Sequence, residues 1–447
     1  MKRIVFYLII FIGVVSACSD DDTFSTGRSN LLTFAKDTVK MDTVFSNVGS
    51  STYTFWVFNN SGDGIRLSAV RLKKGNQTGF RVNVDGSYLD NTTGSVVTDL
   101  EVRKGDSIRV FVELTAPENR QQEAQLVEDD LVFQLESGVE QRVNLRSFAW
   151  DAVKVSELRI KKDTLLELSK PLVVYKGIKV DSGAVLTIKG STLYFHDKAG
   201  IVVRGTLKTE NVVMRGDRLD HMFDYLTYDR VSGQWAGISF DIPSKGNVLT
   251  DTEIRNAMTA IHITDTTTAD TLTQRLTMTR CIIHNAKGYG VEAYSSNVGL
   301  YYCQLSNTLD DCVALFGGKV DIDYCTLAQF YPLTANRGAA LRFSSMDNLR
   351  LNCTNTIVTG YDADVVMAVR PDTTNLLRYR FDNCLLRTPA VKDDTVSFKN
   401  IHWETPQDTI QGSQHFIKVD DRNMIYDFHL DSLSTAKGKG CYPFRTQ

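Results

Sequence analysis

The sequence predicts an all-β protein in two parts, a β-sandwich followed by a parallel β-helix. Short stretches of alternating apolar and polar residues fill the first third of the chain, and a repeat of about 22 residues follows them. The chain has 447 residues, of which 42% are hydrophobic, and a formal charge of −3. This composition indicates a folded protein, and the small negative charge argues against nucleic acid as a partner.

The N-terminus has the layout of a secretory signal. Lys2 and Arg3 precede an apolar run over residues 4–15, which is too short to span a bilayer comfortably. Val15-Ser16-Ala17-Cys18 resembles a bacterial lipobox, and the acidic residues 19–22 resemble the export tag of Bacteroidetes surface lipoproteins. The resemblance implies removal of residues 1–17 and a lipid on Cys18. It further implies anchoring in the outer membrane, with the protein facing the cell exterior.

The next two segments are a tether and the sandwich. Residues 18–30 are mostly small and polar, as in a flexible tether. Between residues 31 and 155, apolar and polar residues alternate in bursts such as 53–58, 107–112 and 131–135. Turn residues separate these bursts, which predicts antiparallel strands. About seven strands in 120 residues fit an immunoglobulin-like β-sandwich.

The repeat begins after Lys170-Pro171. Residues 281–285, CIIHN, align with residues 303–307, CQLSN, at an offset of 22, and the same offset aligns Val291 with Val313 and Cys303 with Cys325. Each turn contains two or three short stretches with β character and no helical period between them. Strands that stack on the preceding turn form a parallel β-helix.

The same region resembles a known family. Residues 185–195, VLTIKGSTLYF, residues 200–207, GIVVRGTL, and the tail that begins at Asp427 are similar to the right-handed parallel β-helix lipoproteins of Bacteroidetes. The resemblance covers residues 171–447 and implies a right-handed β-helix with a C-terminal cap. It implies no single activity, because fold does not fix function.

Two groups of acidic residues are candidates for catalysis. Asp310-Asp311 resembles the paired aspartates of polygalacturonases, but the other motifs of that family are missing, so a solvated turn is the preferred interpretation. The register also places His262 beside Glu292 and Ala314 on outward positions, where a surface ladder without a catalytic task is expected. We therefore predict no catalytic residue.

No metal or cofactor site is predicted. Asp362, Asp364 and Arg370 are the nearest approach to the calcium site and basic residue of pectate lyases, and their spacing matches no known motif. Seven cysteines remain besides Cys18, without the spacing of a zinc site. Cys281, Cys303 and Cys325 fall at one position of the repeat, where small buried thiols are expected.

The loop over residues 215–234 is the best candidate for ligand binding. It combines aromatic and charged side chains, of which Arg218, Tyr225, Tyr228 and Arg230 are the predicted binding residues. The expected function is a surface lipoprotein whose β-helix binds glycans or envelope proteins without catalysis. The alternatives are a polysaccharide lyase or glycoside hydrolase, and a structural part of an envelope assembly.

Overall fold

The computed structural model describes residues 23–89, 92, 94–264, 273–371 and 373–442. The predicted signal, Cys18 and the acidic residues that follow it lie outside the described residues. The chain divides into two compact units, Met1–Asp151 and Ala152–Gln447. No helix in the described ranges is long and apolar enough to cross a membrane.

The first unit is a β-sandwich, as predicted. One sheet has the strand order β1-β4-β9-β6-β7, and the other has the order β2-β11-β10-β5-β8 with β3 also on β11. The pairs are antiparallel except that β2 and β3 run parallel to β11. The strands are β1 Thr33–Phe34, β2 Thr38–Lys40, β3 Val44–Phe45, β4 Tyr53–Phe58, β5 Ile65–Leu72, β6 Phe80–Val84, β7 Ser87–Tyr88, β8 Val96–Val102, β9 Ser107–Leu114, β10 Gln125–Leu135 and β11 Glu140–Trp150.

The core of the sandwich explains its alternating sequence. Val57, Val112, Leu131 and Leu145 point between the sheets and are completely buried, while their sequence neighbours face outward. Four of the strands have only two or three residues. Such short strands leave no alternation to detect, which is why the sequence indicated fewer strands than the structure contains.

The second unit is a β-helix built from one parallel sheet of 24 strands. These strands are β12 Val153–Ile160, β13 Thr164–Glu167, β14 Leu172–Val180, β15 Val185–Lys189, β16 Thr192–Phe195, β17 Gly200–Val203, β18 Thr206–Gly216, β21 Gly237–Phe240, β22 Asn247–Arg255, β23 Ile261–Ile263, β24 Gln274–Thr279, β25 Ile282–His284, β26 Val291–Tyr294, β27 Asn297–Tyr301, β28 Gln304–Ser306, β29 Val313–Asp323, β30 Thr326–Gln329, β31 Leu341–Thr354, β32 Ile357–Gly360, β33 Val366–Val369, β34 Leu377–Asp382, β35 Leu385–Leu386, β36 Phe398–Lys399 and β37 His402–Trp403.

Two antiparallel hairpins lie outside this sheet. The first joins β19 His221–Phe223 to β20 Leu226–Thr227 and is followed by a 3-10 helix over Tyr228–Arg230. The second joins β38 Phe416–Asp420 to β39 Ile425–Leu430, after a 3-10 helix over Gly412–His415.

The register of the turns confirms the predicted offset of 22. Val291 pairs with Val313, Leu300 with Ile322, and Ile282 with Gln304. Later turns are longer, as expected, since Ile357 pairs with Leu385. Most turns supply three strands, so the strands form three columns along the helix.

Stacked aliphatic side chains fill the interior. In one column Ile254, Ile283, Leu305, Leu327 and Val358 follow one another in register, and all are completely buried. A turn of constant length keeps each of these side chains above the next. This requirement explains why the sequence repeats.

Asparagines mark the corners of the turns. Asn256, Asn285 and Asn307 have φ angles of 65°, 61° and 54°. Asparagine tolerates this left-handed conformation better than most residues, which accounts for the asparagine at the end of each repeat.

The structure corrects two predicted boundaries. The β-helix begins at Val153 rather than at residue 171, because β12 already pairs in parallel with β14. The tail also does not cap the end of the helix. Phe416 and Phe428 of the second hairpin pack against outward side chains of the middle turns, among them Ala328 and Ile357.

Candidate functional site

A cavity of about 400 Å³ lies between the outer surface of the β-helix and the second hairpin. We call it the flank cavity. Its floor consists of outward side chains from three successive turns. Glu253, Ile282 and Gln304 form one row, and Arg255 and His284 form a second row beside it.

Aromatic side chains form the opposite wall of the flank cavity. Tyr426 and Phe428 of β39 stack with their ring centroids 6.1 Å apart and an interplanar angle of 4°. The Tyr426 ring lies 5.3 Å from the imidazole of His284 on the floor. Nearby, His429 stacks on Tyr442 at 3.9 Å. Aromatic rings therefore face hydrogen-bonding groups across the cavity.

The charged groups at the floor are paired with one another. The Arg255 guanidinium lies 3.3 Å from the Glu253 carboxylate and 3.5 Å from that of Asp229. Asp229 also pairs at 2.7 Å with Arg215, whose side chain is 9% exposed. This network holds Arg255 and Glu253 in place, with donor and acceptor atoms at the cavity surface.

His284 is a neutral member of the floor. Burial, together with the nearby Arg255 guanidinium, lowers the pKa of His284 to about 4. Its Nδ1 lies 2.9 Å from the Ser306 hydroxyl. At neutral pH the imidazole is therefore uncharged.

The predicted binding loop contributes one residue to this cavity. Arg230 lines the cavity and donates a hydrogen bond of 2.5 Å to the carbonyl of Asn423 in the second hairpin. Arg218 instead pairs with Asp220 at 2.5 Å and lies 3.9 Å from the centre of the Tyr228 ring.

Tyr225 lies at the tip of the first hairpin. It is 76% exposed and stacks on Phe223 at 5.6 Å. The structure thus brings Arg218 and Tyr228 together as an internal pair and leaves Tyr225 as a separate exposed ring.

The acidic residues on a second face form another cluster, which we call the carboxylate row. Its members are Glu292, Asp310 and Asp311. The predicted alignment of His262 with Glu292 and Ala314 is confirmed by the strand register. The imidazole of His262 lies 2.7 Å from Glu292, and the Tyr294 hydroxyl donates a 2.9 Å hydrogen bond to the same carboxylate.

The interpretation of Asp310-Asp311 as a solvated turn is wrong for Asp311. This carboxylate is 2% exposed and forms two hydrogen bonds with Arg342, at 2.6 and 3.1 Å. It also accepts a hydrogen bond of 2.6 Å from the backbone N–H of Ala339 in the next turn. The register had placed these residues correctly opposite Gly288, but it could not indicate that the loop before β31 covers Asp311. Asp310 remains exposed.

Ionisation differs along the carboxylate row. Burial raises the pKa of Asp310, and the charges of Asp311 and Glu292 add to the rise. Burial would also raise the pKa of Glu292, but the hydrogen bonds from His262 and Tyr294 outweigh it, and the net pKa is lowered. The same hydrogen bond with Glu292 raises the pKa of His262.

The other candidates form no site. Asp362 and Asp364 are exposed, and Arg370 donates to the carbonyl of Thr373 at 3.1 Å. In the part of the chain that the structure describes, no group of three histidine, cysteine or acidic side chains is placed to hold a metal ion. All seven cysteines other than Cys18 are buried free thiols.

The sequence reasoning missed most of the flank cavity. Arg255 and His284 each precede a corner asparagine, so their outward position was readable from the repeat. The alternation of Tyr426 and Phe428 in the tail was also visible. Nothing local indicated that these segments, separated by more than 140 residues, face each other.

Comparison with known proteins supports the fold of the second unit. Residues 173–360 match the family model described as a right handed beta helix region. No curated protein sequence matches the chain.

Three solved structures are similar to parts of the chain. A protein of unknown function from Porphyromonas gingivalis W83 is 12% identical over 31% of this chain and 57% of its own, with a TM-score of 0.20. A family 123 glycoside hydrolase from Clostridium perfringens is 6% identical over 29% of this chain and 30% of its own, with a TM-score of 0.20. The catalytic unit of a GH87 alpha-1,3-glucanase from Streptomyces thermodiastaticus is 12% identical over 79% of this chain and 89% of its own, with a TM-score of 0.29. The chain thus spans less than two thirds of the first two structures. The protein contains a right-handed β-helix region preceded by an N-terminal β-sandwich region.

Proposed function

We propose that the protein binds a saccharide in the flank cavity without changing it chemically. The observation that carries this proposal is the pairing of an aromatic wall, Tyr426 and Phe428, with a floor of fixed planar groups, Arg255 and Glu253. Sugar rings present apolar C–H faces and hydroxyl groups that both donate and accept hydrogen bonds. A cavity of about 400 Å³ lies in the size range of small-molecule sites, roughly 300–1,000 Å³.

The charges of the cavity favour a neutral saccharide. Arg255 is already paired with Glu253 and Asp229, and His429 Nδ1 lies 2.6 Å from the carboxylate of Asp427. A carboxylate or sulfate on the sugar would have to compete with these acidic groups. Hydroxyl groups can bind beside the existing pairs at lower cost.

Filling the cavity at Ile282 tests this proposal. Ile282 lies between Glu253 and Gln304 and points into the cavity, so Ile282→Trp should occupy the space of the sugar. We expect at least a tenfold loss of affinity, about 1.4 kcal/mol, in calorimetric titrations of the protein without residues 1–18 against a panel of oligosaccharides. Ile282→Val, the matched control, leaves the cavity open and should bind like the wild type. Equal affinity of the wild type and the Trp variant would place the binding site elsewhere.

Polysaccharide hydrolysis at the carboxylate row is the second candidate function. One specific observation favours it: neighbouring carboxyl groups have pKa values shifted in opposite directions. A protonated Asp310 would donate a proton to the leaving oxygen, and an ionised Glu292 would activate water. This is the division of roles that inverting glycoside hydrolysis needs.

Separate substitutions of the two aspartates distinguish catalysis from structure. Asp310→Asn changes an exposed side chain and should alter the free energy of unfolding by less than about 0.5 kcal/mol. Asp311→Ala leaves Arg342 without its buried partner and should cost roughly 3 kcal/mol in urea unfolding, at the low end for buried ion pairs because Arg342 is partly exposed. If the wild type cleaves any polymer of the panel and Asp310→Asn folds normally but does not, the second candidate function is correct.

We also propose that the protein is a Bacteroidetes lipoprotein on the outer face of the outer membrane, with an immunoglobulin-like sandwich as a spacer. The lipobox-like residues and the acidic residues after Cys18 support this location. Cys18→Ala should release the protein from the membrane fraction, because the acyl chains on this cysteine would be its only anchor. Fractionation followed by immunoblotting measures the release. A Cys18→Ala protein that remains in the membrane fraction would contradict the lipid anchor.

A further inference from the structure

One strand column of the β-helix ends a turn earlier than the other two. β33 pairs with β31, and no described strand pairs with its other edge. The neighbouring columns continue through β34 to β36 and through β35 to β37. β33 is therefore an edge strand whose outer backbone groups are available to another strand.

Apolar side chains are exposed at this end of the β-helix. Met367 and Val369 of β33 are 42% and 36% exposed. Ala368 is also exposed, although its register partner Phe343 belongs to the buried interior. An exposed apolar edge strand of this kind invites pairing with another chain.

A second opening lies in the same final turns. Val391 lines a cavity of about 290 Å³ together with Phe398, Ile401 and Trp403. These last three side chains pack on the interior but are only partly buried. The second hairpin does not cover this end, because it packs on the flank of the middle turns.

We propose that β33 pairs with the β33 of a second copy of this chain, forming an antiparallel two-fold dimer. The charges beside the strand are self-complementary in this arrangement. If Met367 lies on the two-fold axis, Asp364 of each copy stands opposite Arg370 of the other. Directly opposite residues in antiparallel strands have Cβ atoms about 4.5–5.5 Å apart, close enough for these charges to attract. The apolar residues between them bring no like charges together.

Charge reversal tests the register as well as the interface. Arg370→Glu places two glutamates opposite two aspartates, whereas Asp364→Arg combined with Arg370→Glu restores both attractive pairs. Arg350→Glu is the matched control, since Arg350 is an exposed arginine of β31 outside the proposed contact. All four proteins, prepared without residues 1–18, are compared by sedimentation velocity between roughly 1 and 100 µM, the range expected for a small interface.

We expect the wild type and Arg350→Glu to dimerise with the same dissociation constant. Arg370→Glu should raise that constant about tenfold, and the double variant should return it to within about threefold of the wild type. A wild type that stays monomeric at the highest concentration overturns the proposal. So does a double variant that remains as weak as Arg370→Glu.

Discussion

Cys303→Asp is expected to prevent the β-helix of residues 152–447 from folding. The Cys303 thiol is completely buried between Cys281 and Cys325 of the adjacent turns, and the Cys303 backbone N–H lies 3.4 Å from the Cys325 sulfur. A carboxylate at this position would have neither water nor a positive partner. Burying it costs several kcal/mol, comparable to the roughly 5–15 kcal/mol that stabilise a whole domain.

Circular dichroism and calorimetry of the full chain measure this effect. The transition of the β-helix should disappear, while that of the sandwich should remain because the sandwich has its own core. Cys303→Val is similar in size and apolar, so it should cost less than about 1.5 kcal/mol. Normal melting of the Cys303→Asp protein would mean that this cysteine faces solvent.

Glu404→Ala is expected to detach the second hairpin from the β-helix. The Glu404 carboxylate is completely buried, pairs with Arg387, and accepts hydrogen bonds of 2.6 Å from the Gly412 N–H and 3.0 Å from Thr359. Its other contact is His415 Nε2 at 3.1 Å. Removing it leaves a buried arginine unpaired, which costs about 3–5 kcal/mol.

Hydrogen exchange over residues 416–430 measures the detachment, and urea unfolding measures the cost. Glu157→Ala is the control, because Glu157 forms an ion pair of similar length, 3.0 Å with Lys179, between exposed side chains. That exposed pair should contribute less than about 1 kcal/mol. Unchanged exchange in the hairpin of Glu404→Ala would contradict the role of Glu404.

The same carboxylate makes the stability depend on pH. Burial alone would raise the pKa of Glu404, but the hydrogen bonds from His415, Arg387 and Gly412 outweigh it, and the pKa lies below its ordinary value of 4.5. The folded protein therefore holds this proton less tightly than the unfolded chain. Glu404 contributes its stability above pH 4.5, and the contribution is lost as the pH falls through the lowered pKa.

Much of the fold was predictable because the β-helix imposes its own period. Stacked residues such as Ile283 and Leu305 must recur at equal spacing, so the sequence contained the register of the middle turns. The first turn was not recognised, since β12 alternates in the same way as the sandwich strands before it. The burial of Asp311 was equally hidden, because it depends on a partner, Arg342, that lies a full turn later.

The candidate site was predictable only in part. Arg230 was identified from the composition of its loop, but composition could not separate it from Tyr225, which points away at the tip of the first hairpin. The position of Tyr426 depends on where the tail folds back. That position is determined by contacts with the outer surface of the middle turns, and such contacts leave no periodic pattern in the sequence.

Crystals soaked in the oligosaccharide of highest affinity from the binding panel test the central claim most directly. Difference density for a sugar ring should appear in the flank cavity, against Tyr426 and within hydrogen-bonding distance of Arg255 or Glu253. The density should be missing from crystals of Ile282→Trp soaked under the same conditions. Sugar density along the carboxylate row, with the flank cavity empty, would contradict the proposed binding site.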